Sequence, residues 1–100
     1  MYNRVDHFEW DDEKSEWNKK HRGFGLDEAR YVFDDPHALE FYDESHSEDE
    51  ARFAKLGYAG PRLLWVVFTA LDERGERLRI LSARKATRKE RTLYEDKAKG

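Results

Sequence analysis

The sequence predicts one α+β domain, with helices against one face of a largely antiparallel sheet in the order β-α-α-β-β-β-β-α. Three observations lead there. Apolar residues ahead of Pro36 recur at helical spacing, whereas those behind it alternate or run continuously, as strands require. Turn signals at Ala59-Gly60-Pro61 and Glu73-Arg74-Gly75-Glu76 cut the back half into strand-length pieces. The chain has 100 residues, 38% hydrophobic and 14% aromatic, enough for one thin core and one domain.

Taken in order, Arg4 to Trp10 alternates loosely, with Val5 offset from Phe8 and Trp10, and reads as a short strand. Acidic residues in a first helical turn offset the helix dipole, so Asp11, Asp12 and Glu13 place a helix start near Asp12; Arg22-Gly23 ends it. Along that helix Trp10, Lys14, Trp17 and His21 share a stripe, and both Trp are expected to anchor it on the core. Leu26, Ala29, Val32 and Phe33 predict a second helix from Asp27 to Asp34, stopped by Pro36. Ala38 to Tyr42 reads as a strand, and Asp43 to Glu50 as an acidic loop that contains His46. Ala51 to Tyr58 follows as a strand, and Leu63 to Phe68 is apolar on both faces, as a central strand should be. In Arg77 to Ser82, Leu78 and Ile80 alternate with Arg77, Arg79 and Leu81, so one face of the strand presents arginines. Thr87 and Glu90 have the spacing of a capping box, predicting a helix from Arg88 to Lys97 with Leu93 and Tyr94 as its apolar contacts.

Composition removes several chemistries. Without cysteine there is no disulfide framework, thiolate zinc site or Cys nucleophile, which fits a reducing compartment. The longest apolar run, Leu63 to Ala70, is far short of the roughly 20 residues of a membrane span, so a soluble cytoplasmic protein is expected, with no membrane partner. The net charge of −3 conceals a dipole: 9 Lys/Arg against 16 Asp/Glu through Leu71, then 10 against 6 from Asp72 onward. A basic C-terminal third of this kind suits an anionic partner.

The densest cationic feature is Arg77, Arg79, Arg84, Lys85, Arg88, Lys89 and Arg91, part on a strand face and part at the start of a helix, where an anion is favoured. Arg79 and Arg84 are the leading anion contacts. His21 beside Lys20, and His46 in the acidic loop, are imidazoles able to move protons near neutral pH. Asp43, His46 and Asp49 recur at three-residue steps, but nothing closes a metal site around them and no metal or cofactor is expected. Phe24 and Tyr94 are candidate base-stacking rings, whereas Trp10, Trp17 and Trp65 are assigned to the core. No phosphate loop, nucleophile elbow or dinucleotide fingerprint is present.

Phe8-Glu9-Trp10-Asp11, Lys14, Asn18, Lys20-His21, Gly23, Glu28-Ala29 and Val32-Phe33-Asp34-Asp35-Pro36 resemble the front half of BrnT-type toxins. Asp43, His46, Glu50, Arg52-Phe53, Gly57, Val66-Val67-Phe68-Thr69, Arg79-Ile80, Ser82-Ala83-Arg84, Ala86, Glu90 and Tyr94 continue the likeness in register, so that it spans Phe8 to Tyr94. The resemblance implies a RelE-like fold and a type II toxin that cleaves RNA and inhibits translation. It also implies neutralisation by a BrnA antitoxin, a ribbon-helix-helix protein that holds two toxins in a heterotetramer and carries the contact with operator DNA. Metal-free cleavage of RNA requires a base, an acid and cations at the reacting phosphate. On this reading Arg79 and Arg84 supply the cations with Lys20 in support, His21 or His46 transfers the proton, and Arg52, Arg77, Arg88 and Tyr94 hold RNA. The alternative is a non-catalytic module that keeps the fold and binds nucleic acid or a regulator.

Overall fold

In the computed structural model, which describes residues 5–44 and 50–99, the chain forms β1 (His7–Glu9), α1 (Asp12–Arg22), α2 (Leu26–Ala29) and a 3-10 turn (Arg30–Asp34). Then come β2 (Leu39–Asp43), β3 (Arg52–Ala59), β4 (Arg62–Ala70), β5 (Arg77–Lys85) and α3 (Arg88–Lys99). This is the anticipated α+β order. The strands make one sheet, β1-β5-β4-β3-β2, antiparallel except that β1 lies parallel to β5. Parallel neighbours need a long crossover, and the helices with β2 to β4 supply it.

The first helix is capped as its sequence indicates. Asp11 Oδ1 accepts from the Lys14 N–H at 3.0 Å, and Gly23, at φ 89°, closes the C-terminus by donating to the Lys19 carbonyl. Its docking face differs from expectation. The buried residues are Ser15 and Asn18, while Trp17 is 49% exposed. Ser15 Oγ accepts from the Leu26 N–H at 2.9 Å, and Asn18 Nδ2 donates to the Phe24 carbonyl at 2.8 Å. Two hydrogen bonds thus seat the helix on the following turn, because that turn has backbone groups that would otherwise be buried without partners. The same turn drives Phe24 fully into the core, so Phe24 is no stacking ring.

The second predicted helix is present in two pieces. After four residues the winding tightens into the 3-10 turn, which buries Val32 and Phe33 and delivers the chain to Pro36. There it passes close over β3 at Gly57, where a Cβ would stand 2.9 Å from Ala38 Cβ and 3.1 Å from Val32 Cγ1. Glycine at this position is what lets the turn approach the sheet.

The two faces of the sheet have different covers. On the first, Leu64, Val66, Phe68, Leu78, Ile80 and Ala83 meet Phe24, Leu26, Ala29, Val32 and Phe33 in the main core. Phe33 is its hinge, with Phe8 at 5.2 Å and Phe68 edge-on at 4.9 Å. On the second face α3 covers one end only, where Tyr94 joins Leu56 and Leu63, with Tyr58 and Trp65 alongside. Strand β5 runs to Lys85, past the expected end at Ser82, because Leu64 to Val67 of β4 keep pairing with it beyond a bulge. Phe68 pairs with Ile80 and Val67 with Ser82, so Leu81 is the extra residue. That reset turns Ala83 into the core and Arg84 to the second face.

Asp35 fastens three elements at the β3 edge. Its Oδ2 accepts from the Tyr58 N–H at 2.8 Å and from the Tyr94 hydroxyl at 2.7 Å, and its Oδ1 from the His37 N–H at 2.9 Å. Burial, the largest single influence, favours the neutral acid, but the three donors and the nearby His37 outweigh it and hold Asp35 below the usual carboxylate value. Desolvation and the same carboxylate push the Tyr94 hydroxyl well above its ordinary value.

Candidate functional site

The open end of the second face carries the concentrated charge. Cross-strand partners share a face, so the pairs Glu9 with Arg79, Arg79 with Thr69, Thr69 with Arg52, and Arg52 with Asp43 trace one row across all five strands. Thr69 lies buried beneath the flanking arginines, its hydroxyl donating to the Ala51 carbonyl at 2.7 Å. The arginine side chains above it remain 39% and 38% exposed for Arg79 and Arg52. Both are anchored on strands, which fixes where their side chains start.

Each arginine has an acidic neighbour. Arg79 donates to Glu9 Oε1 at 2.8 Å, and Arg52 Nε lies 3.9 Å from Glu50 Oε1. Arg84 is held harder: it forks onto both oxygens of Glu90 at 2.8 and 2.9 Å, and its guanidinium stands 5.2 Å from the centre of the Trp65 indole. The hydrogen bonds from Arg84 are the main reason Glu90 ionises below the usual carboxylate range. Glu90 also completes the predicted capping box, accepting from the Thr87 N–H at 2.9 Å while its own N–H donates to Thr87 Oγ1 at 3.1 Å. One carboxylate therefore starts α3 and aims Arg84.

Lys20 and His21 are exposed in the last turn of α1. The next residue, Arg22, donates to the Ala83 carbonyl of β5 at 2.7 Å and fixes that end of the helix beside the strand. His21 Nδ1 lies 2.9 Å from the Trp17 carbonyl. A carbonyl only accepts, so Nδ1 carries the hydrogen and the neutral ring presents the Nε2 lone pair as a proton acceptor. Arg77 and Arg88 are exposed, at the start of β5 and of α3.

Tyr94 is 7% exposed, edge-on to Tyr58 and hydrogen-bonded to Asp35, so its ring belongs to the α3 core and cannot stack on a base while α3 is docked. His46, together with Asp49, lies outside the described residues. Among the described residues no three His, Cys, Asp or Glu side chains converge as a metal site, and no helix is long and apolar enough to cross a membrane. Sequence reasoning missed Glu9 as the partner of Arg79, because only the parallel register of β1 on β5 brings them together across seventy positions.

These features define a small α+β domain with a half-open, arginine-bearing sheet face. The family model described as the ribonuclease toxin BrnT of type II toxin-antitoxin systems matches residues 10–90, and the chain belongs to that family. It is thus a toxin of the ribonuclease type, and a type II toxin has a protein antitoxin as its counterpart. No individual curated protein matches the chain.

Proposed function

We propose that this protein cleaves RNA without a metal ion, on the open sheet face, and that a BrnA-like antitoxin neutralises it. The observation that carries the proposal is the row through Arg79, Thr69 and Arg52 in a chain of the BrnT family. Arg79 and Arg84 take the charge that builds on the phosphate as the neighbouring 2′-oxygen attacks it, with Lys20 in support. His21, through Nε2, or His46 removes the 2′-hydroxyl proton, and a protonated group returns one to the departing 5′-oxygen. The products are a 2′,3′-cyclic phosphate and a free 5′-hydroxyl. Arg52, Arg77 and Arg88 hold the flanking phosphates.

Glu9 and Glu90 shape this chemistry in opposite ways. A phosphate reaching Arg79 competes with the single oxygen of Glu9, whereas at Arg84 it must loosen a two-point fork. Arg79 is the readier ligand, and Arg84 keeps its place while RNA binds beside it. Acidic side chains of the antitoxin complement the same cations, so inhibition consists in covering the row. Two toxins in a heterotetramer, with operator DNA contacted through the antitoxin, complete the proposal.

The test is expression of the chain alone, beside its Arg79→Ala form, with growth followed and purified protein incubated with RNA with and without chelator. Growth arrest together with chelator-resistant cleavage that is lost in Arg79→Ala supports the proposal. Cleavage that a chelator abolishes refutes its metal-free part. Absence of both arrest and cleavage leaves the fold as a non-catalytic binding module.

A further inference from the structure

The reversal of Trp17 from expected anchor to exposed ring leaves a large aromatic surface that the reading above does not use. Its indole stacks on the His21 imidazole, with ring centres 4.5 Å apart and planes inclined by 22°, and the Arg22 guanidinium stands 5.2 Å from its centre. Almost half of the side chain still faces solvent. Beside it a cleft of about 240 Å³ opens between α1 and β5, walled in part by Lys14, Trp17, Arg22, Leu81 and Ser82. That is below the roughly 300–1,000 Å³ of sites that enclose a drug-sized molecule, and it suits one flat ring.

Charge separates this cleft from its neighbours. Three other clefts of the described surface include carboxylates in their walls: Asp34 and Asp35 in one, Glu40 and Asp72 in another, Glu90 and Asp96 in the third. The walls of the Trp17 cleft hold two cations and no acid. An indole meant to anchor a protein partner sits within an apolar ring, whereas the helical neighbours of Trp17 are the polar side chains of Glu13, Lys14, Lys20 and His21. Flat aromatic surface flanked by cations such as Lys14 and Arg22 is what an unpaired nucleotide binds.

The cleft also shares strand β5 with the proposed reaction site. Ser82, in its wall, pairs with Val67 and therefore lies on the same sheet face as Arg79 and Arg84. Arg79 is three residues away along β5, about 10 Å at strand spacing. We propose that Trp17 is a nucleobase platform of this toxin: one unpaired base of the RNA joins the Trp17–His21 stack, and Lys14 and Arg22 hold the phosphate beside it. The Leu81 bulge and the bond from Arg22 to the Ala83 carbonyl pre-set the cleft, so little order has to be created on binding. This inference rests on the RNA reading above and adds to it a position at which a base, rather than a phosphate, is recognised.

The test uses a single-stranded oligoribonucleotide with 2′-O-methyl groups, which cannot be cleaved by its own 2′-oxygen, and a matched oligomer of abasic sites. Binding is measured for the native chain, Trp17→Ala, Trp17→Phe and Arg79→Ala, with melting temperatures recorded alongside. Trp17→Ala is expected to weaken binding of the base-containing oligomer roughly 10-fold or more, the effect of removing one base–aromatic stack, with little change in melting temperature. Trp17→Phe keeps most of the affinity, and the abasic oligomer does not distinguish Trp17→Ala from the native chain. Native-like binding by Trp17→Ala, with binding weakened in Arg79→Ala, overturns the platform and leaves the RNA reading standing. An equal loss with the abasic oligomer also overturns it. Failure of the native chain to bind RNA removes the RNA reading, and the platform with it.

Discussion

The two faces of the sheet are drawn from the same five strands but are finished differently. On one, Phe33 is locked among Phe8, Phe68 and the ammonium of Lys55, 5.1 Å from its ring centre, and the helical layer leaves nothing of Leu64 or Val66 exposed. On the other, α3 covers one end and the opposite end keeps its arginines wet. The contrast shows how a small chain divides its duties: one face supplies the stability that lets the other hold mutually repelling cations on rigid strands.

The sharpest way to break this division is to damage the closed face. Phe33→Ala should cost about 3–5 kcal/mol of stability, read by urea unfolding, because the aromatic cluster cannot close over the void. Next comes the open face. Arg79→Ala should lower RNA cleavage about 100- to 1,000-fold, the usual loss when one transition-state donor is removed, while the urea midpoint stays close to native. A large fall in stability instead would mean that Arg79 is a structural member of the sheet.

The joint between the covered end and the rest is tested at Asp35. Asp35→Ala leaves the Tyr58 N–H and the Tyr94 hydroxyl without their acceptor, at about 1–3 kcal/mol. This joint also sets the pH limits. Asp35 and Glu90 both ionise below their ordinary values of 3.8 and 4.5, so their contribution is present above those values and is lost as pH falls through the lowered ones. Tyr94 is shifted the other way. Its contribution is complete below its ordinary value of 10.0 and is lost as pH rises beyond it. Urea midpoints against pH should therefore form a plateau with an acid limb that flattens in Glu90→Gln and an alkaline limb that flattens in Tyr94→Phe. Smallest is the helix cap: Asp11→Ala should cost about 1 kcal/mol, measured as a shift in melting temperature, with cleavage unaffected.

Where hydrophobic spacing decided the packing, the sequence was a sufficient guide. The α1 boundaries, the central character of β4, the Arg-bearing face of β5 and the Thr87–Glu90 box all appear where periodicity and capping place them. Trp17 and Phe24 changed places because α1 docks through Ser15 and Asn18, small polar residues that a count of apolar side chains assigns to solvent. Tyr94 was displaced from the site by a single distant carboxylate, Asp35, which no local pattern connects to it. At the candidate site the cations were legible as a cluster, but their acidic partners were not. Glu9 reaches Arg79 only through strand register, and Glu90 reaches Arg84 only once α3 has folded back on the sheet.

The parallel pairing of β1 with β5 has a consequence for synthesis. As the chain is made from its N-terminus, His7 to Glu9 wait without a strand to lie against until Arg77 to Arg79 have been added. Contacts of such separation are the slow part of folding. A nascent chain that stops before β5 has Glu9 and Arg52 but neither Arg79 nor Arg84, so the cationic row comes into being in one late event, when β5 joins the sheet.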